Sequence, residues 1–255
     1  MEIKKIEKII KSLTQVFFDA GNLSIELRKK GLKKQIKKDK TPVTNGDIEV
    51  NNIILNNLRK ISPGIPIISE ETSENKNLDL STFWLVDPID GTYDYIHNKD
   101  EFTLNAGLII NKVAVAGIIY APAKNRMFYS FGDNTSYELR GNSEIVLNNK
   151  DIDKNNIKAV SYSNNLKPEI IEIHKKLKVK EYVKMKSSLK FCVVASGEFH
   201  VYVAEPRANE WDIAAGHAIL KNSGGTITDF NGKEIFYGKK GFKNPSIILR
   251  STDDI

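Results

Sequence analysis

The chain has 255 residues, 40% of them hydrophobic and 27% charged, the balance of a soluble globular protein forming one large domain or two small ones. Its longest apolar run, Val113 to Tyr120 with Gly117 inside, is too short to cross a bilayer, and a single cysteine, Cys192, excludes an internal disulfide. The net charge of +6 points to anionic partners.

Ile6, Ile9, Ile10, Leu13, Val16, Phe17 and Ala20 recur at helical spacing and predict a long amphipathic helix that fades toward Gly31. Met1–Lys5 at its head lack an apolar signal segment, so the cytoplasm is the expected compartment. Arg28, Lys29, Lys30, Lys33, Lys34, Lys37, Lys38 and Lys40 then concentrate positive charge. They read as a solvated lysine loop or as a funnel for a phosphorylated ligand, nucleic acid or a membrane surface. Lysine is frequent throughout and no aromatic residue interleaves the run, which favours the loop. Peripheral attachment to the inner membrane through these lysines stays open.

A second helix begins at Thr44-Asn45-Gly46-Asp47, with Val50, Ile54 and Leu58 facing inward. Thr44 and Asp47 stand in the relation of a capping box, so Asp47 reads equally as a structural cap and as a catalytic group. Ile65–Ile68 is a short strand, followed directly by Ser69-Glu70-Glu71. Thr103–Ile110 and Val113–Tyr120 form a hairpin around Asn111-Lys112, and Met127–Ser130 with Tyr137–Leu139 form another. An α+β unit over residues 1–150 is therefore expected, with a boundary in the polar stretch 148–156.

A smaller α/β unit over residues 151–255 follows. Strands are expected at 159–162, 182–183, 200–204, 226–228 and 246–249, and helices at 168–177, 187–195 and 212–221. Ser187-Ser188-Leu189-Lys190 places two hydroxyls and an ammonium at a helix start, which reads as a phosphate seat or as serine capping with Lys190 in solvent. Asp212 reads as an ordinary N-cap. The four histidines lack metal-ligand spacing, and no P-loop, GxGxxG or GxSxG occurs.

The most informative stretch is Trp84-Leu85-Val86-Asp87-Pro88-Ile89-Asp90-Gly91-Thr92. An apolar strand end is expected to turn on Asp-Pro and Asp-Gly, leaving two carboxylates and a threonine where α/β sheets place ligands. Asp87 and Asp90 read either as turn formers or as oxygen ligands for a hard divalent ion such as Mg²⁺.

With Glu70 and Asp212 added, the chain resembles the inositol monophosphatase superfamily of Mg²⁺-dependent, lithium-sensitive phosphatases. The resemblance rests on WLVDPIDGT (84–92), SEE (69–71) and EWDIAAGHAILKNSGG (210–225). TPVTNGD (41–47), DEFTLNAGLI (100–109), IIYAP (118–122) and SSLKFC (187–192) are most similar to its 3'(2'),5'-bisphosphate nucleotidase branch. Two departures stand out: Lys186 replaces the usual glycine before Ser187-Ser188, and Tyr93-Asp94-Tyr95 follows Thr92.

The resemblance implies a layered αβαβα sandwich of the sugar-phosphatase type. It implies that Glu70, Asp87, the carbonyl of Ile89, Asp90 and Asp212 ligate two or three Mg²⁺ ions. Asp47 and Thr92, with Glu70, would be catalytic, orienting and deprotonating the attacking water. Amides of Gly91 and Thr92 would hold the scissile phosphate, and Ser188 and Lys190 the second one. Glu70, Ile89, Asp90 and Asp212 would border the substrate as well. Four carboxylates without interleaved cations would need external positive charge, which metal ions supply.

The implied reaction is hydrolysis of adenosine 3',5'-bisphosphate to AMP, and of its 5'-phosphosulfate analogue PAPS to adenosine 5'-phosphosulfate. Inositol-1-phosphate or fructose-1,6-bisphosphate phosphatase activity on the same scaffold is the alternative. A more distant one is a non-catalytic module binding nucleic acid or acidic lipid. The expected partner is a phosphorylated nucleotide rather than nucleic acid, and the chain is expected as monomer or homodimer.

Overall fold

The computed structural model describes residues 1–37, 41–72, 80–141, 143–148 and 152–255. Lys38 and Lys40 of the lysine segment, and residues 149–151 of the expected boundary, lie outside the described residues.

A long first helix, α1 (Ile3–Lys30), follows from the 3.6-residue recurrence of its buried Ile9, Leu13, Val16, Phe17 and Ala20. Residues read as a solvated loop instead include a short strand, β1 (Lys34–Ile36), paired antiparallel with β2 (Pro42–Thr44). The exposed side chains of β1 gave no apolar signal, and pairing alone makes it a strand. The capping box forms as read: Thr44 accepts from the Asp47 amide and Asp47 from the Thr44 amide, starting α2 (Asn45–Ile61).

A seven-stranded sheet then runs in the order β3-β4-β5-β6-β7-β8-β9. Its members are β3 (Ile67–Ser69), β4 (Thr82–Asp90), β5 (Thr103–Ile110), β6 (Val113–Ala121), β7 (Arg126–Ser130), β8 (Ser136–Arg140) and β9 (Ser143–Leu147). Asn111 and Lys112 both take positive φ, the geometry that a two-residue hairpin turn requires. Strand β9 escaped the sequence reading because four of its five residues are exposed. Between β4 and β5 lies a five-residue helix, α3 (Thr92–Ile96).

The second sheet has the order β11-β10-β12-β14-β13, from β10 (Lys158–Ser161), β11 (Glu181–Lys184), β12 (Val201–Ala204), β13 (Thr226–Thr228) and β14 (Ile247–Arg250). Helices α4 (Pro168–Lys176), α5 (Leu189–Ala195) and α6 (Glu210–Asn222) accompany it.

Alternation along β4 assigns the layers. Trp84 and Val86 join the core under α1 and α2, while Phe83 and Leu85 face the core shared by α5, α6 and the second sheet. Ile170 of α4 packs with Val201, Val203 and Ile248 on the far face of that sheet. The order helices, sheet, helices, sheet, helix is the expected αβαβα sandwich. Gly107 and Gly117 let α6 lie close on the first sheet: a Cβ on Gly117 would stand 2.6 Å from the Ala215 carbonyl oxygen. That close approach brings the first turn of α6, with Asp212, toward the carboxyl end of β4.

Candidate active site

The strand does not turn at Asp-Pro. β4 continues through Asp90, and its pairing with β5 shifts register between Asp87 and Asp90. Pro88 has no N–H for the ladder, so a bulge absorbs it and re-aims the flanking carboxylates. The turn comes one residue later, at Gly91, whose φ of 92° favours glycine.

Asp87 is buried, and its Oδ1 has no hydrogen-bond partner within the protein. Burial, then the charges of Glu70, Asp90, Asp212 and Asp47, holds its carboxyl well above the usual range. Asp212 is likewise raised by burial and by Asp90, and Asp90 is raised to about 6, chiefly by burial. Both keep some surface open to a cleft that each of them lines. Asp212 is not the N-cap of α6; Asn209 is, and Asp212 answers it three residues on by accepting from the Asn209 amide at 2.8 Å. The tryptophan-aspartate pair therefore lies within the first turn of the helix rather than at its cap.

Asp47 accepts from the Thr44 amide at 2.7 Å and the Thr44 hydroxyl at 2.6 Å, while Thr92 Oγ1 stands 3.2 Å from its other oxygen. The same Thr92 hydroxyl lies 3.1 Å from the buried carbonyl of Ile89. One hydroxyl proton cannot fully serve both acceptors. When it goes to Asp47, the Ile89 oxygen is left for a cation and the Thr92 lone pairs for a donor such as water.

Glu70 follows β3 directly and is tied by its amide to the Val86 carbonyl. Its carboxylate meets Lys37 at 3.2 Å, and Glu71 meets the same ammonium at 2.8 Å. Of the two readings of Lys190 the solvated one fails: the side chain is buried, donates to the Ser187 carbonyl and lies near Asp90. Burial lowers its pKa to about 8, against the pull of Asp90. Cations, Lys37 and Lys190 among them, thus stand among carboxylates that the sequence left without any.

Helix α5 begins at Leu189, because Ser187 takes a left-handed φ of 55°. Ser188 does not cap it with its side chain. Its amide donates to Asp90 Oδ2, and its hydroxyl bonds Asn105 and Thr103 on β5. The cleft between these groups is also lined by Lys186, Tyr162, Glu205 and Arg207, none of which the sequence reading singled out as binding residues. Only the unusual lysine at 186 gave a hint.

Among the described residues, no three acidic, histidine or cysteine side chains close into a ready-made ligand cluster. Asp87 nevertheless keeps one orphaned carboxylate oxygen, and the charges of Glu70, Asp90, Asp212 and Asp47 all act on it. That donor chemistry, with a buried charge that nothing in the protein satisfies, fits a hard cation such as Mg²⁺.

The inositol monophosphatase family model matches residues 5–252. The chain belongs to the inositol monophosphatase family. A 3'(2'),5'-bisphosphate nucleotidase CysQ from Buchnera aphidicola is 36% identical, over 90% of this chain and 88% of that protein. The CysQ of Escherichia coli K12 is 33% identical over 82% of this chain and 85% of its own. Among solved structures, CysQ from Bacteroides thetaiotaomicron superposes with a TM-score of 0.80 at 27% identity, covering 94% and 96% of the two chains. The family name and the fold agree with the resemblance read from the sequence. No described helix is long and apolar enough to cross a membrane.

Proposed function

We propose that this family member is a Mg²⁺-dependent 3'(2'),5'-bisphosphate nucleotidase that hydrolyses adenosine 3',5'-bisphosphate to AMP and phosphate, with PAPS as a second substrate. The observation that carries this reading is a cleft lined by acidic Asp90 and Asp212 and by Lys186, Lys190 and Arg207, in a chain whose curated relatives bear that activity's name.

In this reading Glu70, Asp87, the Ile89 carbonyl, Asp90 and Asp212 hold two or three ions. Bound Mg²⁺ would offset the charge of the phosphate and of the oxygens entering and leaving it. Thr92 orients the attacking water, and Asp47 takes its proton through the Thr92 hydroxyl. The raised proton affinity of buried Asp47 suits it to that task. Amides of Gly91 and Thr92, which head α3 and have no partner within it, hold the scissile phosphate oxygens. Ser188 and Lys190 border the second phosphate. A single buried thiol suits a reducing, cytoplasmic setting.

The test is a side-by-side kcat/KM for adenosine 3',5'-bisphosphate, inositol 1-phosphate and fructose 1,6-bisphosphate with Mg²⁺. The nucleotide is expected to win by more than about tenfold, the discrimination that one charged contact supplies. A preference for either sugar phosphate overturns the nucleotidase reading and keeps the phosphatase one.

A further inference from the structure

The cleft that Asp90 and Asp212 line also holds three cations, Lys186, Lys190 and Arg207, close enough to act on one another. Lys190 feels the repulsion of both Arg207 and Lys186. Such a cluster is costly unless anions offset it; Asp90 and Glu101 pull on Lys190, yet the carboxylates nearby also have other work. Glu205 accepts from the Tyr162 hydroxyl at 2.9 and 2.8 Å and pairs with Lys167 at 3.2 Å. Glu101 accepts from the Lys186 amide at 2.9 Å, and Asp94 pairs with Lys99 at 3.4 Å. Asp90 accepts from the Ser188 amide and belongs to the acidic set.

The cations themselves are held but not used up. The guanidinium of Arg207 lies 4.0 Å from the centre of the Tyr162 ring, a face contact that leaves its five N–H donors at the guanidinium edge. Its exposure puts it at the rim. Lys186 Nζ donates to the Tyr162 carbonyl at 3.0 Å and retains two protons. Tyr162 thus steadies both, being itself fixed by Glu205.

We infer that Lys186 and Arg207 complete, with Lys190, a three-cation seat for a second dianionic phosphate, and that these two residues make substrate choice depend on that group. The inference rests on the phosphatase reading above and deepens it. Lys186 stands where the family resemblance leads one to expect glycine, so part of this seat is this chain's own. A phosphate dianion brings oxygens enough for all three donors, and a guanidinium can grip two of them at once.

Adenosine 3',5'-bisphosphate and adenosine 3'-monophosphate differ only in the second phosphate. For Lys186→Met and Arg207→Met, the ratio of their kcat/KM values should fall about tenfold each relative to wild type, through KM for the bisphosphate. Lys186→Arg should retain most of the ratio. An unchanged ratio, with both substrates affected equally or neither, overturns the seat. Calorimetric binding of AMP against adenosine reads the same seat without turnover. Each Met variant should lose about tenfold in AMP affinity and far less for adenosine. If wild type hydrolyses neither nucleotide, the nucleotidase reading fails, and the AMP measurement still decides the seat: equal AMP affinity in wild type and variants overturns it.

Discussion

The backbone amide of Ser188 donates directly to Asp90 Oδ2, joining residues 98 positions apart across the two sheets. Ser188 also anchors its hydroxyl on Asn105 and Thr103. Ser187, in its left-handed conformation, receives the Lys190 ammonium on its carbonyl. The turn before α5 therefore fixes one carboxylate of the acidic set and one wall of the cleft together.

Asp90→Asn and Asp212→Asn should each lose at least about a hundredfold in kcat/KM for adenosine 3',5'-bisphosphate, because an amide cannot replace a carboxylate facing a cation. Both proteins should stay folded, since each substitution removes a buried charge whose ionisation burial opposes. Steady-state kinetics and thermal melts of the same samples check this. Near-normal turnover in both would remove Asp90 and Asp212 from the site.

Thr92→Ala and Asp47→Asn should lower kcat by about a hundredfold or more, the range of general acid–base catalysis, with a smaller change in KM. Asp47 also caps α2, so Asp47→Asn should cost about 1 kcal/mol of stability whereas Thr92→Ala should not. A drop in stability without a drop in kcat would leave Asp47 as a helix cap alone.

The raised pKa of Asp90 gives a signed pH dependence. Its carboxyl is raised to about 6 in the folded protein, so the stability it contributes is present below its unfolded pKa and is lost as pH climbs through about 6. Metal-free wild type should therefore lose melting temperature relative to Asp90→Asn between about pH 4 and pH 7. Mg²⁺ should stabilise wild type more at about pH 7.5 than at pH 5, because cation binding must displace protons at the lower pH. A Mg²⁺ effect independent of pH would contradict an acidic cation site.

Gly117→Ala should destabilise the fold by about 1–3 kcal/mol, since its Cβ would press on α6 backbone that cannot swing aside. Activity should fall beyond what lost stability explains, because α6 carries Asp212. Denaturant unfolding paired with kinetics on the folded fraction tests the coupling.

Local rules carried much of this protein into view. The period of α1, the Thr44–Asp47 box, the Asn111-Lys112 hairpin and the apolar run Trp84–Val86 with the Asp90-Gly91 turn were all legible, because each is set by neighbours within a few residues; the bulge at Pro88 was not. Strand β9 and the pairing of β1 were not, because exposed polar strands show no hydrophobic period. Nor was the start of α6, where Asn209 rather than Asp212 proved to be the cap.

What the order of residues determined by itself was a set of motif strings, WLVDPIDGT, SEE and EWDIAAGHAILKNSGG, in the order of one phosphatase family, and with them the candidate acidic groups. What only the tertiary structure decided was their company. Lys37 reaches Glu70 and Glu71 across 33 and 34 positions, and Arg207 settles on Tyr162 across 45. Such contacts depend on how two sheets and the helices between them stack, and no local pattern encodes which distant charge will arrive beside another.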